Sequence, residues 1–410
     1  MKNAVPGHDR VILCLNSGSS SLKLALFRLG DKETLLARGA GERIGQQGGR
    51  FWIHGPAEEM LVEQVGDLAD HKAAVQSTLT AFQHLRLPMP EAVGHRVVHG
   101  GSDYTSPALV DTHLLDTLRK LTPFAPLHLP GAIHGIETVA SIFPGILHVA
   151  CFDTAFHRRM PEINQRFPLP RTFFDEGIRR YGFHGLSYEY ILDVLGPASQ
   201  GRTIIAHLGN GASMAAVLDG RPLDTTMGLT PTGGFMMGTR CGDLDPGIVL
   251  YLMNEKGYGP ARIDALVNHE SGLLGVSGIS SDMKTLLEKS ANDPHARQAV
   301  EMFCQQLRKH IGALAGVLGG VDTLVFTGGI GEHAAPVRWE VCKGLAHLGI
   351  HLDGERNTNH DDMISSGKSS CQVRVIPTNE DLMIARHTYK VISGKQKEHP
   401  RGSGQANTLQ

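Results

Sequence analysis

Two distant segments of the chain carry residues that could grip a phosphate. Asn16-Ser-Gly-Ser-Ser-Ser-Leu-Lys23 closes the apolar run Val11–Leu15, and His207-Leu-Gly-Asn-Gly211 closes the run Thr203–Ala206. Small residues in such turns expose backbone N–H groups and hydroxyls, which suit phosphate. Each is also readable as an ordinary hairpin turn, since Gly-Asn-Gly is common turn chemistry. Their likeness in position and type favours a ligand reading for both. A third segment, Gly328-Gly-Ile-Gly-Glu-His333, follows an apolar strand, where a glycine turn lets backbone approach adenosine and phosphate. Neither the P-loop spacing nor G-x-G-x-x-G is present in these segments.

Charged residues accompany them. Arg96 and Arg240 each read as an arginine in a strand of apolar neighbours, which is costly without an anionic partner. That partner is either a structural carboxylate or an anionic substrate. Asp153 follows the apolar run Ala150–Phe152, and Glu380 follows the strand ending at Pro377. Strand ends are where α/β proteins place their sites. Glu380 also suits the first turn of a helix. His128, His184 and His207 lie in glycine- or proline-rich stretches without the spacing of a metal motif.

The elements that must carry these groups alternate between strand and helix. Strands are expected at 11–16, 22–28, 92–98, 146–152, 203–208, 213–218, 323–327 and 373–377. Helices are expected at 71–86, after Pro130, after Ser187, at 246–256 and 260–268, and from Asn379. Asp293-Pro294 begins a long helix with the stripe Val300, Phe303, Leu307, Ile311, Leu314 and Leu318. This order is that of an α/β protein. A chain of 410 residues favours two domains.

Bulk properties exclude several function classes. The chain is 41% hydrophobic and 20% charged, as in soluble globular proteins. A net charge of −2 offers no general field for nucleic acid. Apolar runs fall short of the ~20 residues of a membrane span. The six cysteines lack C-x-x-C spacing and read as free thiols of a reducing, cytoplasmic compartment.

Together these segments resemble the acetate kinase family from about Val11 to Lys390. Further motifs carry the likeness: Gly94-His-Arg-Val-Val-His-Gly-Gly101, Ala125-Pro-Leu-His128, Phe152-Asp-Thr-Ala-Phe-His157, Arg179-Arg-Tyr-Gly-Phe-His-Gly185, Asp224-Thr-Thr-Met-Gly-Leu-Thr-Pro231, Met237-Gly-Thr-Arg240, Glu270-Ser-Gly-Leu-Leu-Gly275 and Thr378-Asn-Glu380. The resemblance implies a duplicated ribonuclease-H-like, actin-like ATPase fold of two domains with a cleft between them. The expected boundaries are 1–152, completed by a helix over 383–392, then 153–382, with a disordered tail over 393–410.

The resemblance also implies roles. Asn16 and Glu380 hold Mg²⁺, for which Mn²⁺ can substitute, and Lys23 helps hold the phosphates. Arg96 and Arg240 bind the carboxylate and the transferring phosphoryl group, supported by His184 and Asn210. Asp153 orients the arginines or the attacking group. ATP or ADP is lined by His207, Leu208, Gly209, Asn210 and Gly211. Gly329, Ile330, Gly331, Glu332 and His333 line it too, with Ser281, Asp282, Met283 and Lys284 against ribose and base. Val98, Leu127, Phe183 and Pro231 form the acyl pocket. The implied reaction is reversible transfer of the ATP γ-phosphoryl group to acetate, giving acetyl phosphate and ADP, in a homodimer. Leu129, Lys284 and His333 stand where the family commonly has Asn, Arg and Asn. Alternatives are propionate or another short-chain acyl kinase, and a non-catalytic ATP-binding switch on the same fold.

Overall fold

The computed structural model describes residues 9–18 and 20–398, and side chains up to residue 394. The described chain divides into two compact units. The first holds residues up to 100, 106–152 and those from 381 onward; the second holds 101–105 and 153–380.

The first unit is built on an eight-stranded sheet. Its strands are β1 (Arg10–Ser17), β2 (Ser21–Leu29), β3 (Glu33–Glu42), β4 (Arg50–His54), β5 (Met60–Val65), β6 (Ala92–Val97), β7 (Ala108–Leu109) and β8 (Leu147–Phe152), in spatial order 5-4-3-2-1-6-8-7. β1, β2 and β3 form an antiparallel meander, whereas β6 runs parallel to both β1 and β8. The helix His71–His84 buries Ala74, Val75 and Phe82, and Asp70 caps it through the Ala73 N–H. These residues join Leu13, Leu24, Leu26 and Val93 in one core.

Gly94 shows why a central strand carries a glycine. A Cβ there would stand 2.3 Å from Thr388 Oγ1 and 2.5 Å from Ile384 Cγ2, so only glycine lets the terminal helix Glu380–Glu398 lie against β6. Arg386 of that helix pairs with Glu33 at 2.7 Å. The helix continues through residues 393–398, where a disordered tail is expected from sequence. Lys and Gln there are good helix formers. Residues 399–410 of that expected tail lie outside the described residues.

The second unit carries a five-stranded sheet of β9 (Arg202–Leu208), β10 (Ala212–Leu218), β11 (Arg221–Thr225), β12 (Thr323–Thr327) and β13 (Gln372–Val375), in order 11-10-9-12-13. Here too a three-stranded antiparallel meander is followed by two strands parallel to its first member. The long helix Pro294–Leu318 starts as its sequence requires. Asp293 accepts from the His295 and Ala296 N–H groups, and the stripe through Phe303, Leu307 and Ile311 is buried.

Two sequence expectations change here. Gly328–His333 is a short helix and not a glycine turn. Both of its ends are satisfied by groups the local sequence does not reveal. Glu332 Oε1 accepts from the Gly328 N–H at 2.8 Å. At the other end Arg338, fully buried, donates to the carbonyls of Gly331 (2.8 Å) and Glu332 (2.9 Å). Such end groups are what a short helix otherwise lacks. Arg240 lies in a loop and not in a strand. The backbone of that loop is held by the Gly272 segment, with the Leu273 N–H on the Met237 carbonyl at 2.8 Å.

Candidate active site

The first unit gathers its candidate residues at the carboxyl ends of parallel strands. Asn16 is near the end of β1, directly opposite Lys23 on β2, so the two share a face. Arg96 is half-buried on β6, one position beyond the pairing of His95 with Leu15. Asn16 is half-buried and Lys23 exposed. The turn after β1 is fixed by a bond from His71 Nε2 to the Gly18 carbonyl at 2.8 Å. A Cβ on Gly135 would lie 2.4 Å from Ser17 Oγ, so the helix Leu129–Ile142 closes tightly on this end of β1. Val98 and Leu127 also belong to this unit and are half-buried.

The second unit builds a denser polar cluster. His184 sits at φ 58°, a left-handed conformation rare outside glycine, just before the helix Gly185–Leu195. Its neighbours force this shape. The Gly185 N–H donates to the Asp153 carbonyl at 2.9 Å. His157 Nε2 meets the Phe183 carbonyl at 2.9 Å, and burial pushes the His157 pKa down to about 4, so the ring is neutral and donates. Strained backbone of this kind collects at functional sites.

From that position the His184 ring stacks on His207, with centroids 4.3 Å apart and planes at 23°. His184 Nδ1 lies 2.8 Å from Ser213 Oγ, which is 2.5 Å from the Tyr188 hydroxyl. His207 Nδ1 lies 2.9 Å from Ser187 Oγ, which accepts from Thr378 Oγ1 at 2.9 Å. Ser213 faces His207 across the β9–β10 hairpin. Burial raises the Tyr188 pKa well above that of an ordinary phenol, and the Glu380 and Asp153 carboxylates raise it further. Both expected carboxylates therefore bear on one buried hydroxyl.

The glycine turn of β9–β10 completes the cluster. A Cβ on Gly211 would meet Arg240 Nη1 at 3.3 Å and His184 Nε2 at 3.6 Å. The guanidinium and the imidazole thus converge on this turn. Arg240 Nη1 also donates to the Pro231 carbonyl at 3.2 Å. The Gly238 N–H holds the Asn210 carbonyl at 3.0 Å, and the Asn210 side chain, which is exposed, lies along Gly238. The strand-end pair His207 and Thr327 brings the Gly328 segment beside the turn.

The remaining candidates differ in how far their side chains are already engaged or buried. Glu332 spends its carboxylate on the backbone N–H groups of Gly328 and Thr378. Leu208 and Met283 have buried side chains, so Leu208 offers only backbone to a ligand. Asp282 caps its own helix through the Thr285 N–H at 2.9 Å, and the hydrogen bonds from Thr285 lower its pKa. Lys284 and His333 are exposed, Gly329 has open space on its Cβ side, Ile330 is half-buried and Gly331 buried. Phe183 and Pro231 are buried.

Ser187, Tyr188 and Ser213 were missed by sequence reasoning. They stand two or three residues beyond the motifs that end at Gly185 and Gly211, where no local pattern marks them.

A two-sheet α/β protein whose second unit sets an arginine and two histidines about a glycine turn has the makings of a phosphoryl-transfer enzyme. The comparisons with known proteins agree. The model of the acetokinase family matches residues 11–386. An acetate kinase of Rhodopseudomonas palustris is 45% identical over 94% of this chain and 99% of its own. The crystal structure of Porphyromonas gingivalis acetate kinase is 38% identical, covers 93% of this chain and 100% of its own, and has a TM-score of 0.84. A propionate kinase structure from Francisella tularensis is 36% identical, covers 93% and 99%, and has a TM-score of 0.87. The chain belongs to the acetokinase family, and it is a kinase that transfers phosphate to a carboxylate.

Proposed function

We propose that the chain catalyses reversible transfer of the ATP γ-phosphoryl group to acetate. A carboxylate oxygen attacks the γ-phosphorus as the bond to the bridging oxygen of ADP breaks, leaving acetyl phosphate and ADP. Acetate needs no strong base, because with a pKa of ~4–5, like a Glu side chain, it is already ionised. Catalysis is then positioning and charge stabilisation. The observation that carries this reading is the convergence of Arg240 Nη1 and His184 Nε2 on the Gly211 turn. In this reading Arg240 and Arg96 carry the charge of the transferring group, His184 and Asn210 donate to it, and Asp153 orients. His207 to Gly211 and the Gly329–His333 segment receive the nucleotide phosphates with Lys23, and Asp282 to Lys284 receive ribose and base. Val98, Leu127, Phe183 and Pro231 receive the methyl group.

Asn16 and Glu380 fit a magnesium ion by donor type, an amide and a carboxylate oxygen. Mg²⁺ on a nucleotide uses few protein ligands and keeps waters and phosphate oxygens. The ion when bound neutralises phosphate charge; the residues above orient the groups.

The shared strand order of the two sheets supports a duplicated ribonuclease-H-like fold, with the terminal helix completing the first half. A homodimer is proposed from the family resemblance, and a cytoplasmic location from the scattered free cysteines. No described helix is long and apolar enough to cross a membrane.

Purified protein with Mg-ATP and each acid, trapped as the hydroxamate, tests the reading. Strongest product with acetate is expected; ATP binding without product from any acid would sink it. The propionate kinase neighbour favours propionate as the second reading. One methylene is worth only ~1–3 kcal/mol in an apolar pocket.

A further inference from the structure

We infer that Ser213, backed by Tyr188, is a positioning residue that holds His184 as the tautomer protonated on Nε2. Its N–H then faces the Gly211 turn beside Arg240. This deepens the phosphoryl-transfer reading and rests on it for its kinetic consequence, whereas the proton placement stands on hydrogen-bond geometry and burial.

The number of protons available decides the tautomer. Three polar atoms lie in a row: the Tyr188 hydroxyl, Ser213 Oγ and His184 Nδ1, separated by 2.5 Å and 2.8 Å. Tyr188 and Ser213 are both 0% exposed, so water does not complete their bonding. The phenol keeps its proton through the neutral range, since burial and two nearby carboxylates oppose its ionisation. Its proton needs an acceptor, and Ser213 Oγ is the one at hand. Ser213 then turns its own single proton to His184 Nδ1, which must be a bare acceptor. The reverse order, from imidazole to serine to tyrosine, leaves a buried phenolic proton with no acceptor. A buried unsatisfied donor costs ~1–3 kcal/mol, enough to decide the tautomer. In a neutral imidazole the remaining proton is on Nε2.

Nε2 is the atom whose placement matters. A Cβ on Gly211 would lie 3.6 Å from it and 3.3 Å from Arg240 Nη1. Two donors are therefore presented to one place, one neutral and directional, the other charged. The stacked partner repeats the pattern. Thr378 Oγ1 donates to Ser187 Oγ, which frees the serine proton for His207 Nδ1 and leaves His207 Nε2 carrying hydrogen. A Cβ on Gly209 would stand 3.8 Å from that Nε2. Two parallel hydroxyl relays thus polarise two stacked imidazoles in the same sense, toward the glycine turn.

Outer hydrogen-bond partners of this kind cost about 10- to 100-fold when removed from metal-bound histidines, through orientation and tautomer. The full-length protein labelled with [¹⁵N]histidine tests the assignment. Long-range ¹H–¹⁵N correlation reads each ring's tautomer, and His184→Asn identifies the His184 signals by their loss. The wild type is expected to show a bare Nδ1 and a protonated Nε2 at His184. Ser213→Ala should mix the tautomers and lower kcat about tenfold, with KM for ATP and acetate held within twofold. Ser213→Thr should restore both readouts, and Tyr188→Phe should give an intermediate tautomer mixture. A wild-type His184 protonated on Nδ1 would overturn the inference, as would Ser213→Ala with wild-type tautomer and kcat. A wild type with the inferred tautomer but no acyl phosphate from any acid would support the proton placement and overturn the catalytic reading instead.

Discussion

The β1–β2 and β9–β10 hairpins open their sheets in the same way but are finished differently. In each, the first strand pairs antiparallel with the second and parallel with a later strand, β6 or β12. The first ends in side chains: half-buried Asn16 opposite exposed Lys23, with serines in the turn. The second ends in glycines over buried walls, with Ser213 and His207 committed to neighbours. The first can adapt to a ligand by moving long or rotatable groups. The second is pre-organised, and its donors are aimed before a ligand arrives, which is the less costly way to stabilise developing charge. Two sheets that share a strand order thus finish the equivalent hairpin with different chemistry.

Substitutions can break or sharpen that contrast. The largest effect is expected at the arginines, one on each unit. Arg240→Ala and Arg96→Ala should each lower kcat by about 10³-fold, some 4 kcal/mol in the barrier. Steady-state kinetics decide, and near-normal kcat in both would remove the arginines from the mechanism.

Next comes the buried cation beneath the second hairpin's neighbour. Arg338→Met should leave the carbonyls of Gly331, Glu332 and Asn357 without their donor and cost about 3 kcal/mol. Urea unfolding would show it, and an unchanged midpoint would mean that the helix Gly328–His333 stands without this support.

A pH effect of similar size is expected from His157. Burial lowers its folded pKa to about 4, against ~6.5 when unfolded. The unfolded chain then binds more protons between these values. Stability from this group is complete above pH ~6.5 and falls as acidification approaches pH 4, by about 3 kcal/mol. The first unit has a counterpart in His95, held at about 3 by burial and by His148. Unfolding of wild type and His157→Gln at neutral and acid pH separates the two. A variant with the wild-type pH slope would assign the loss elsewhere.

The smallest and most direct test exchanges the turn glycines. A Cβ on Gly18 meets Ser21 Oγ at 2.8 Å, a hydroxyl that can rotate away, and the Ser21 carbonyl at an ordinary 3.7 Å. Gly18→Ala should change kcat by no more than about twofold. Gly211→Ala puts a methyl group between Arg240 and His184 and should cost about tenfold or more. Equal effects would contradict the contrast between an adaptable and a pre-organised hairpin.

Much of this was legible in the chain itself. The period of apolar residues set the strands and helices, because burial rewards one face of each element. The order of motifs pointed to the acetokinase family, and the two glycine hairpins marked where ligand chemistry would sit. Tertiary structure decided what local pattern does not encode. Gly328–His333 is helical because Glu332 folds back on its first turn and Arg338, from beyond it, caps the last. Gly94 is a glycine because a helix from the far end of the chain lies on it. The proton on His184 is placed by Ser213 and Tyr188, one of them 29 residues away. Sequence determined which groups exist and which backbone shapes are affordable. Only packing determined which acceptors each buried donor meets, because hydrogen-bond partners are set by proximity in space and not along the chain.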